Sequence, residues 1–429
     1  VAALSRTFAT PLAVALGAGL AAVAWPAAAA GRTQAFTLPQ QPYADSQARQ
    51  YKVHVPTHLS GPAPMVLALH GCRQTHDDVL ADWGLVAAAE RHGFILVAPF
   101  VTRYTEQRNP NCWGFWLDAH RHQGRGEAED LHQIALAVEA RFPVDPQRRY
   151  VTGLSSGGAM AVVLAATHNE YFAAVASAAG LPYGEDAAAV SLTGNCPGSA
   201  SFHTVARAVT DAQRERDDAY PIPLMVLQNQ RDCTVLPAAA TRLRDVQLKL
   251  VGPAAPDTPA EAQATQGDCA PVFGEGHGCQ HTRYTVDGRA GSRSMVETVF
   301  YSGPLATPDP GDQDHGHYWI GGADGRDGPY AVQRGPVYPE IVLDFFARHP
   351  ALARPAPAPL SCATARGAPG AHLAAGRAAA SGWLGSSAVS NGDGADIGFA
   401  WDFFMTRVTL HEGHAGKWFL RRPGACPPG

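Results

Sequence analysis

Between residues 51 and 346, short runs of consecutive apolar residues alternate with longer stretches whose apolar positions recur at helical spacing. The runs predict strands over 51–55, 65–69, 94–98, 149–152, 173–176, 224–228 and 295–301. Met65-Val66-Leu67-Ala68-Leu69 contains no polar residue, as a strand covered on both faces requires. Helices are predicted over 78–91, 128–142, 158–167, 238–250 and 339–348. This alternation is that of an α/β fold, a mostly parallel sheet flanked by helices. Two stretches rich in Pro, Gly and Ala, 181–221 and 252–293, interrupt it. Loops of that length are uncommon without a role, so both read as insertions near a functional site.

The chain ends differ from this pattern. Residues 1–30 combine Arg6, an apolar run over 11–25 and Ala27-Ala28-Ala29-Ala30, which reads as a secretory signal peptide cut near Ala30. The alternation of Pro and Ala over 350–360 reads as a semi-rigid linker. The expected organisation is therefore a signal at 1–30, a catalytic domain at 31–349, the linker, and a small module at 361–429.

Composition narrows the function. A net charge of -5 with 17% charged residues offers no basic surface for nucleic acid. No segment after the signal is apolar enough to span a bilayer, so no membrane association is expected after cleavage. Eight cysteines in an exported chain read as disulfides, and none has the C-x-x-C spacing of a zinc site. Connectivity is not determined by sequence; the pairs expected are Cys72 with Cys112, Cys269 with Cys279, and Cys362 with Cys426. Cys196 with Cys233 is what then remains. No metal and no cofactor is expected. Asn391-Gly392-Asp393-Gly394-Ala395-Asp396 lacks the downstream Glu of a calcium loop and reads as a turn.

The candidate chemistry centres on Gly153-Leu154-Ser155-Ser156-Gly157, which lies between a predicted strand and a predicted helix. In that setting a G-x-S-x-G box becomes a nucleophile elbow. A serine hydroxyl needs a histidine base oriented by a carboxylate, and the α/β-hydrolase chain order is Ser, Asp or Glu, His. Asp232 follows the strand predicted over 224–228, and His317 lies beyond the last strand, with His315 as its nearby competitor. The expected oxyanion donors are the backbone N–H groups of Ser156 and Cys72, the latter in the loop His70-Gly71-Cys72-Arg73-Gln74. Trp113 and Trp116 are candidates for an acyl pocket, although core positions suit either tryptophan equally well.

Together these segments resemble the extracellular polyhydroxyalkanoate depolymerases, also called poly(3-hydroxybutyrate) depolymerase-type esterases, and the related secreted feruloyl esterases. The resemblance rests on Leu69-His70-Gly71-Cys72, Asn111-Cys112-Trp113, Val144-Asp145-Pro146, the residues from Tyr150 to Met160 around the serine box, Asp232 ahead of Val235, and Gly316-His317. It implies an α/β-hydrolase fold and a secreted serine carboxylesterase with Ser155 as nucleophile, His317 as base, Asp232 as its orienter, and Cys72 and Ser156 at the oxyanion positions. Cys362, His372, Ala375-Gly376-Arg377-Ala378 and Gly385-Ser386 look like the substrate-binding domain such depolymerases carry at the C-terminus. His372, Arg377 and, in the catalytic domain, Trp319 join the two tryptophans as expected substrate contacts. The expected partner is a water-insoluble polyester met by a monomeric, extracellular enzyme. Two rival readings stand beside it: a feruloyl or acetylxylan esterase, and a non-catalytic polymer-binding protein on a hydrolase scaffold.

Overall fold

The computed structural model describes residues 31–420 except residue 60 and the stretches 192–194, 217–221, 252–263, 286–292, 309–311, 352–360, 393–394 and 414–415. The expected signal peptide, most of the linker, Asp393 and Cys426 lie outside the described residues. Strands β1 (Arg32–Leu38), β2 (Arg49–Val55), β3 (Ala63–Leu69), β4 (Ile95–Pro99), β5 (Val144–Leu154), β6 (Ala174–Ala178) and β7 (Leu224–Asn229) are followed by β8 (Ala264–Asp268), β9 (Val272–Phe273), β10 (Gln280–Thr285) and β11 (Ser294–Tyr301). All but β9 join one ten-stranded sheet in the order β1-β2-β4-β3-β5-β6-β7-β11-β10-β8.

The central strands from β4 to β11 run parallel. Among them β3 and β4 are unbroken apolar runs, as strands covered on both faces require. Helices α1 (His76–Asp82), α2 (Leu85–His92), α3 (Gly126–Glu139), α4 (Ser156–Thr167), α5 (Val205–Glu215), α6 (Pro237–Val251) and α7 (Tyr338–Arg348) provide that cover. In succession α3, α4, α5 and α6 touch one another, while α1, α2 and α7 form a second group. This is the α/β-hydrolase architecture.

Two sequence expectations are corrected here, and one strand has no counterpart among them. The helix expected over 78–91 is broken at Trp83-Gly84. Gly84 has φ 71°, and a Cβ there would lie 2.3 Å from the Gly321 carbonyl oxygen, so the chain turns where it meets the loop that follows His317. The stretch 252–293, expected as an insertion, contains strands among its described residues: β10 pairs antiparallel with β11, and β8 antiparallel with β10, extending the sheet edge. At the other edge β1 pairs antiparallel with β2. Its residues alternate between exposed and half-buried, which no continuous apolar run announces. The stretch 181–221, by contrast, contains α5 and is tied by the Cys196–Cys233 disulfide to the turn that carries Asp232.

Beyond β11, the two-residue strands β12 (Trp319–Ile320), β13 (Ala331–Val332) and β14 (Gly335–Pro336) secure the loop around His317. Here β12 pairs with β13, and β14 pairs with β9. The C-terminal residues form two three-stranded sheets. One contains β15 (Thr364–Gly367), β19 (Val408–Glu412) and β20 (Trp418–Phe419), and the other β16 (Ala378–Ser381), β17 (Ser387–Ser390) and β18 (Asp396–Phe399). With the short helix α8 (Pro369–Ala374) they enclose a separate small core of Ala378, Ala388, Ile397, Ala400 and Leu410.

Candidate active site

Strand β5 passes directly into α4 through Ser155, whose φ of 59° and ψ of -123° lie outside the regions a non-glycine residue prefers. Such strain persists only where the surroundings hold it. One hold is the Ser155 N–H, which donates to the Ala178 carbonyl at the end of β6, at 2.9 Å. The other is packing: a Cβ on Gly157 would lie 2.1 Å from the Leu69 carbonyl oxygen, so only glycine lets α4 start against the end of β3.

The expected acid and base lie at strand ends of the same edge. After β7 the Asp232 carboxylate accepts from the Thr234 and Val235 N–H groups at 2.9 and 2.8 Å with one oxygen. Its other oxygen meets His317 Nδ1 at 2.8 Å. Burial pushes the Asp232 carboxyl up to about 6. For His317, burial pulls downward, but the charge and hydrogen bond of Asp232 outweigh it and hold the imidazolium at about 9. The two therefore form an ion pair at neutral pH. Ser155 and His317 stay 7% and 8% exposed, enough to be met from outside. The Ser155 hydroxyl makes no hydrogen bond to His317 among the described contacts; contacts of this kind tighten when substrate binds. The competitor His315 is exposed, and its Nδ1 is engaged with the Ala306 carbonyl at 3.0 Å.

Sequence reasoning missed Asp314. One of its oxygens accepts from the N–H groups of Cys233 and Thr234 at 3.0 and 2.6 Å, and the other from Gly316 at 2.8 Å. It thus braces the acid's turn against the base's loop and adds a second negative charge beside His317. Its nearness to a histidine pair in Asp312-Gln313-Asp314-His315-Gly316-His317 was the available signal. Asp232, Asp314 and His317 offer ligand atoms within 4.8 Å of one another, yet the two carboxylates are already satisfied by backbone N–H groups and the imidazole.

In the loop 70–74, the expected carrier of an oxyanion donor, hydrogen bonds fix the peptide between Gly71 and Cys72. The Gly71 carbonyl accepts from His70 Nδ1 at 2.8 Å and from the Gln74 N–H at 3.3 Å. The far side of the same peptide is the Cys72 N–H, for which no acceptor occurs among the described hydrogen bonds. Burial pushes His70 down to about 4, so its ring is neutral: Nδ1–H donates to Gly71 while Nε2 accepts from the Val101 N–H at 3.3 Å. A Cβ on Gly71 would lie 3.3 Å from Ser155 Cβ, which sets this peptide beside the elbow. The Ser156 N–H is the first of α4 and has no partner within the helix. Cys72–Cys112 anchors the loop, and Cys269–Cys279 also forms. Cys362 is bonded, but its expected partner Cys426 lies outside the described residues.

Four of the five expected substrate contacts, Trp113, Trp319, His372 and Arg377, are engaged within the protein. Trp113 is fully buried, with its Nε1–H donating to the His70 carbonyl, so it supports the oxyanion loop from behind. Trp116 is half-buried against Phe115. Trp319 is a core residue stacked on Trp83 at 4.4 Å. His372 is buried between the Val408 carbonyl and Arg377 Nε, and the Arg377 guanidinium lies over Trp418. All four are occupied by packing or hydrogen bonds inside the protein. What the module does expose is a different set, Trp383 and Phe404 at 83% and Met405 at 91%, with Leu384, Phe399 and Trp401 beside them. Strand pairing of Ser387 with Phe399 and the Ala400 N–H to Ser386 carbonyl bond set the two turns side by side. The Asp402 carboxylate stiffens one of them by accepting from the N–H groups of Phe404, Met405 and Thr406.

The family model described as Esterase PHB depolymerase matches residues 51–271. Poly(3-hydroxyalkanoate) depolymerase C of Paucimonas lemoignei is 38% identical over 130 residues, 30% of this chain and 31% of that protein. Feruloyl esterase B of Neurospora crassa is 34% identical over 142 residues, 33% of this chain and 47% of that protein. The chain thus spans less than half the length of either relative. Among solved structures, an acetyl xylan esterase from Aspergillus awamori superposes with a TM-score of 0.50 at 18% identity, covering 74% of this chain and all of that one.

Proposed function

The chain belongs to the PHB depolymerase esterase family, and from that premise we propose that it is a secreted serine esterase that hydrolyses short-chain polyhydroxyalkanoates such as poly(3-hydroxybutyrate). The observation that carries the chemistry is the 2.8 Å Asp232–His317 hydrogen bond at the sheet edge where Ser155 occupies a strained elbow. With Nδ1 held by Asp232, Nε2 is the atom that takes the Ser155 proton. The serine oxygen then attacks the ester carbonyl carbon, and the oxyanion is met by the N–H groups of Cys72 and Ser156. Collapse breaks the carbonyl–alkoxy bond as His317 returns the proton to the leaving hydroxyl. Water, deprotonated by the same nitrogen, releases the acyl group as a carboxylic acid and restores Ser155. Preference for an insoluble polymer is supported by the exposed apolar turns of the C-terminal module, and an extracellular setting by the disulfides. The enzyme is read as a monomer that needs no cofactor.

Purified protein and its Ser155→Ala variant, assayed on poly(3-hydroxybutyrate) films and on feruloylated arabinoxylan, test this reading. Film hydrolysis by the parent, lost in the variant with adsorption retained, is the expected result. Film hydrolysis by Ser155→Ala removes the nucleophile assignment, and preference for arabinoxylan makes the protein a feruloyl esterase instead.

A further inference from the structure

Away from the catalytic edge, α3 carries Glu129 and His132 three residues apart, and the residue that caps the C-terminus of α4 is His168. We propose that Glu129, His132 and His168 bind a divalent transition-metal ion, Zn2+ foremost, that staples the end of α4 to α3. The three side chains offer ligand atoms that all lie within 4.8 Å of one another. His168 Nε2 is 3.0 Å from one Glu129 oxygen, and His132 Nδ1 is 3.5 Å from the other. A tetrahedral ion with bonds of roughly 2.0–2.1 Å needs ligand separations of about 3.3 Å; the two contacts reach different Glu129 oxygens, so the carboxylate turns one oxygen towards both nitrogens when it binds the ion.

The hydrogen bonding around the cluster favours a cation at its centre. Thr167 Oγ1 donates to the Val163 carbonyl at 3.0 Å, so its 2.8 Å contact with His168 Nδ1 is filled by a proton from the ring. The neutral form of that tautomer turns the Nε2 lone pair towards the Glu129 carboxylate, which is repulsive unless something positive lies between them. His132 Nδ1 is buried and has no hydrogen-bond partner. Both imidazoles thus present a nitrogen to one carboxylate that is itself oriented by Gln133 Nε2 at 2.8 Å and the Gly124 N–H at 3.1 Å. Ligands fixed by outer hydrogen bonds in this way are the usual surroundings of a bound metal.

Helix α4 has 12 residues and separates the cluster from Ser155 by about 18 Å at 1.5 Å per residue. The ion therefore takes no part in ester cleavage; it stabilises the helix whose other end positions the elbow. The site goes beyond the esterase reading and stands or falls apart from it. Full-length protein without a histidine tag, stripped with chelator, is titrated with Co2+ and Zn2+ while visible absorption and Tm are followed. One equivalent of Co2+ should give a d–d band that Zn2+ removes, and Zn2+ should raise Tm. His132→Ala and Glu129→Gln should each weaken Zn2+ binding at least 100-fold and lose the Tm rise, with hydrolysis of a soluble ester within twofold of the parent. His132 lies near the surface, so its variant carries the test even if Glu129→Gln does not fold. Absence of the Co2+ band, or an equal Zn2+-dependent Tm rise in His132→Ala, overturns the site and leaves a buried imidazolium–carboxylate pair.

Discussion

Under the proposed mechanism, the proton that Asp232 stabilises on His317 must leave before the ring can accept one from Ser155. With the imidazolium pushed up to about 9, the active neutral base is a minority form at pH 7. The value of kcat/KM should therefore climb through neutrality and level off only above about pH 9, as initial rates on a soluble p-nitrophenyl ester would record. Asp314 contributes to that upward shift through its negative charge. Asp314→Asn should move the profile to lower pH by roughly one unit; an unmoved profile would reduce Asp314 to a brace. His70 acts on the oxyanion side. His70→Phe keeps the ring's bulk but releases the Gly71 carbonyl, and kcat should fall about tenfold or more with KM little changed. An unchanged kcat would mean that the loop aims Cys72 without it. That Asp232 and His317 meet, and that Ser155 sits at a strand-to-helix turn, was legible because chain order and strand ends constrain where such residues can lie. Asp314 and His70 were not, since each works by a hydrogen bond between loops that only the folded chain brings together.

Elements meet the site most tightly where α4 begins under β3. A methyl group at Gly157 would press on the Leu69 and His70 carbonyl oxygens at 2.1 and 2.5 Å, and both belong to backbone that cannot swing aside. Gly157→Ala should cost about 1–3 kcal/mol in a urea titration. It should lower kcat more than that loss implies, because the strand end it displaces carries Cys72. Full activity on a destabilised fold would show that elbow and oxyanion loop are not coupled through this contact. The same region illustrates which elements were readable. Strands β3, β4 and β6 are buried on both faces and so show as unbroken apolar runs. Strand β10, next to the sheet edge, mixes Arg283 and Gln280 with buried His281, and the helix break at Gly84 is imposed by a loop more than two hundred residues away. Neither leaves a periodic signal.

At the scale of the whole molecule, the C-terminal module has so small a core that its exposed apolar turns are its most conspicuous property. The residues the sequence singles out in this module are not the ones it exposes. His372 and Arg377 are committed to each other and to neighbouring chain, whereas Trp383, Phe404 and Met405 project into solvent with no contact role in the core. A large side chain laid flat on a solid surface covers about 100 Å² of apolar area, which at roughly 25 cal/mol per Å² contributes about 2.5 kcal/mol. Three such residues outweigh any single hydrogen bond the module offers. Replacing Trp383, Phe404 and Met405 together by Ser should leave thermal stability within a few degrees, because none of them joins the core of Ala378, Ala388, Ile397, Ala400 and Leu410. Adsorption to polyester granules, measured by depletion from the supernatant, should fall at least tenfold, and granule hydrolysis with it. Turnover of a soluble ester should stay within twofold, since no triad or oxyanion residue is touched. Undiminished adsorption would move the contact with polymer to the catalytic domain. A parallel loss on the soluble ester would instead mean that the module acts on the active site itself.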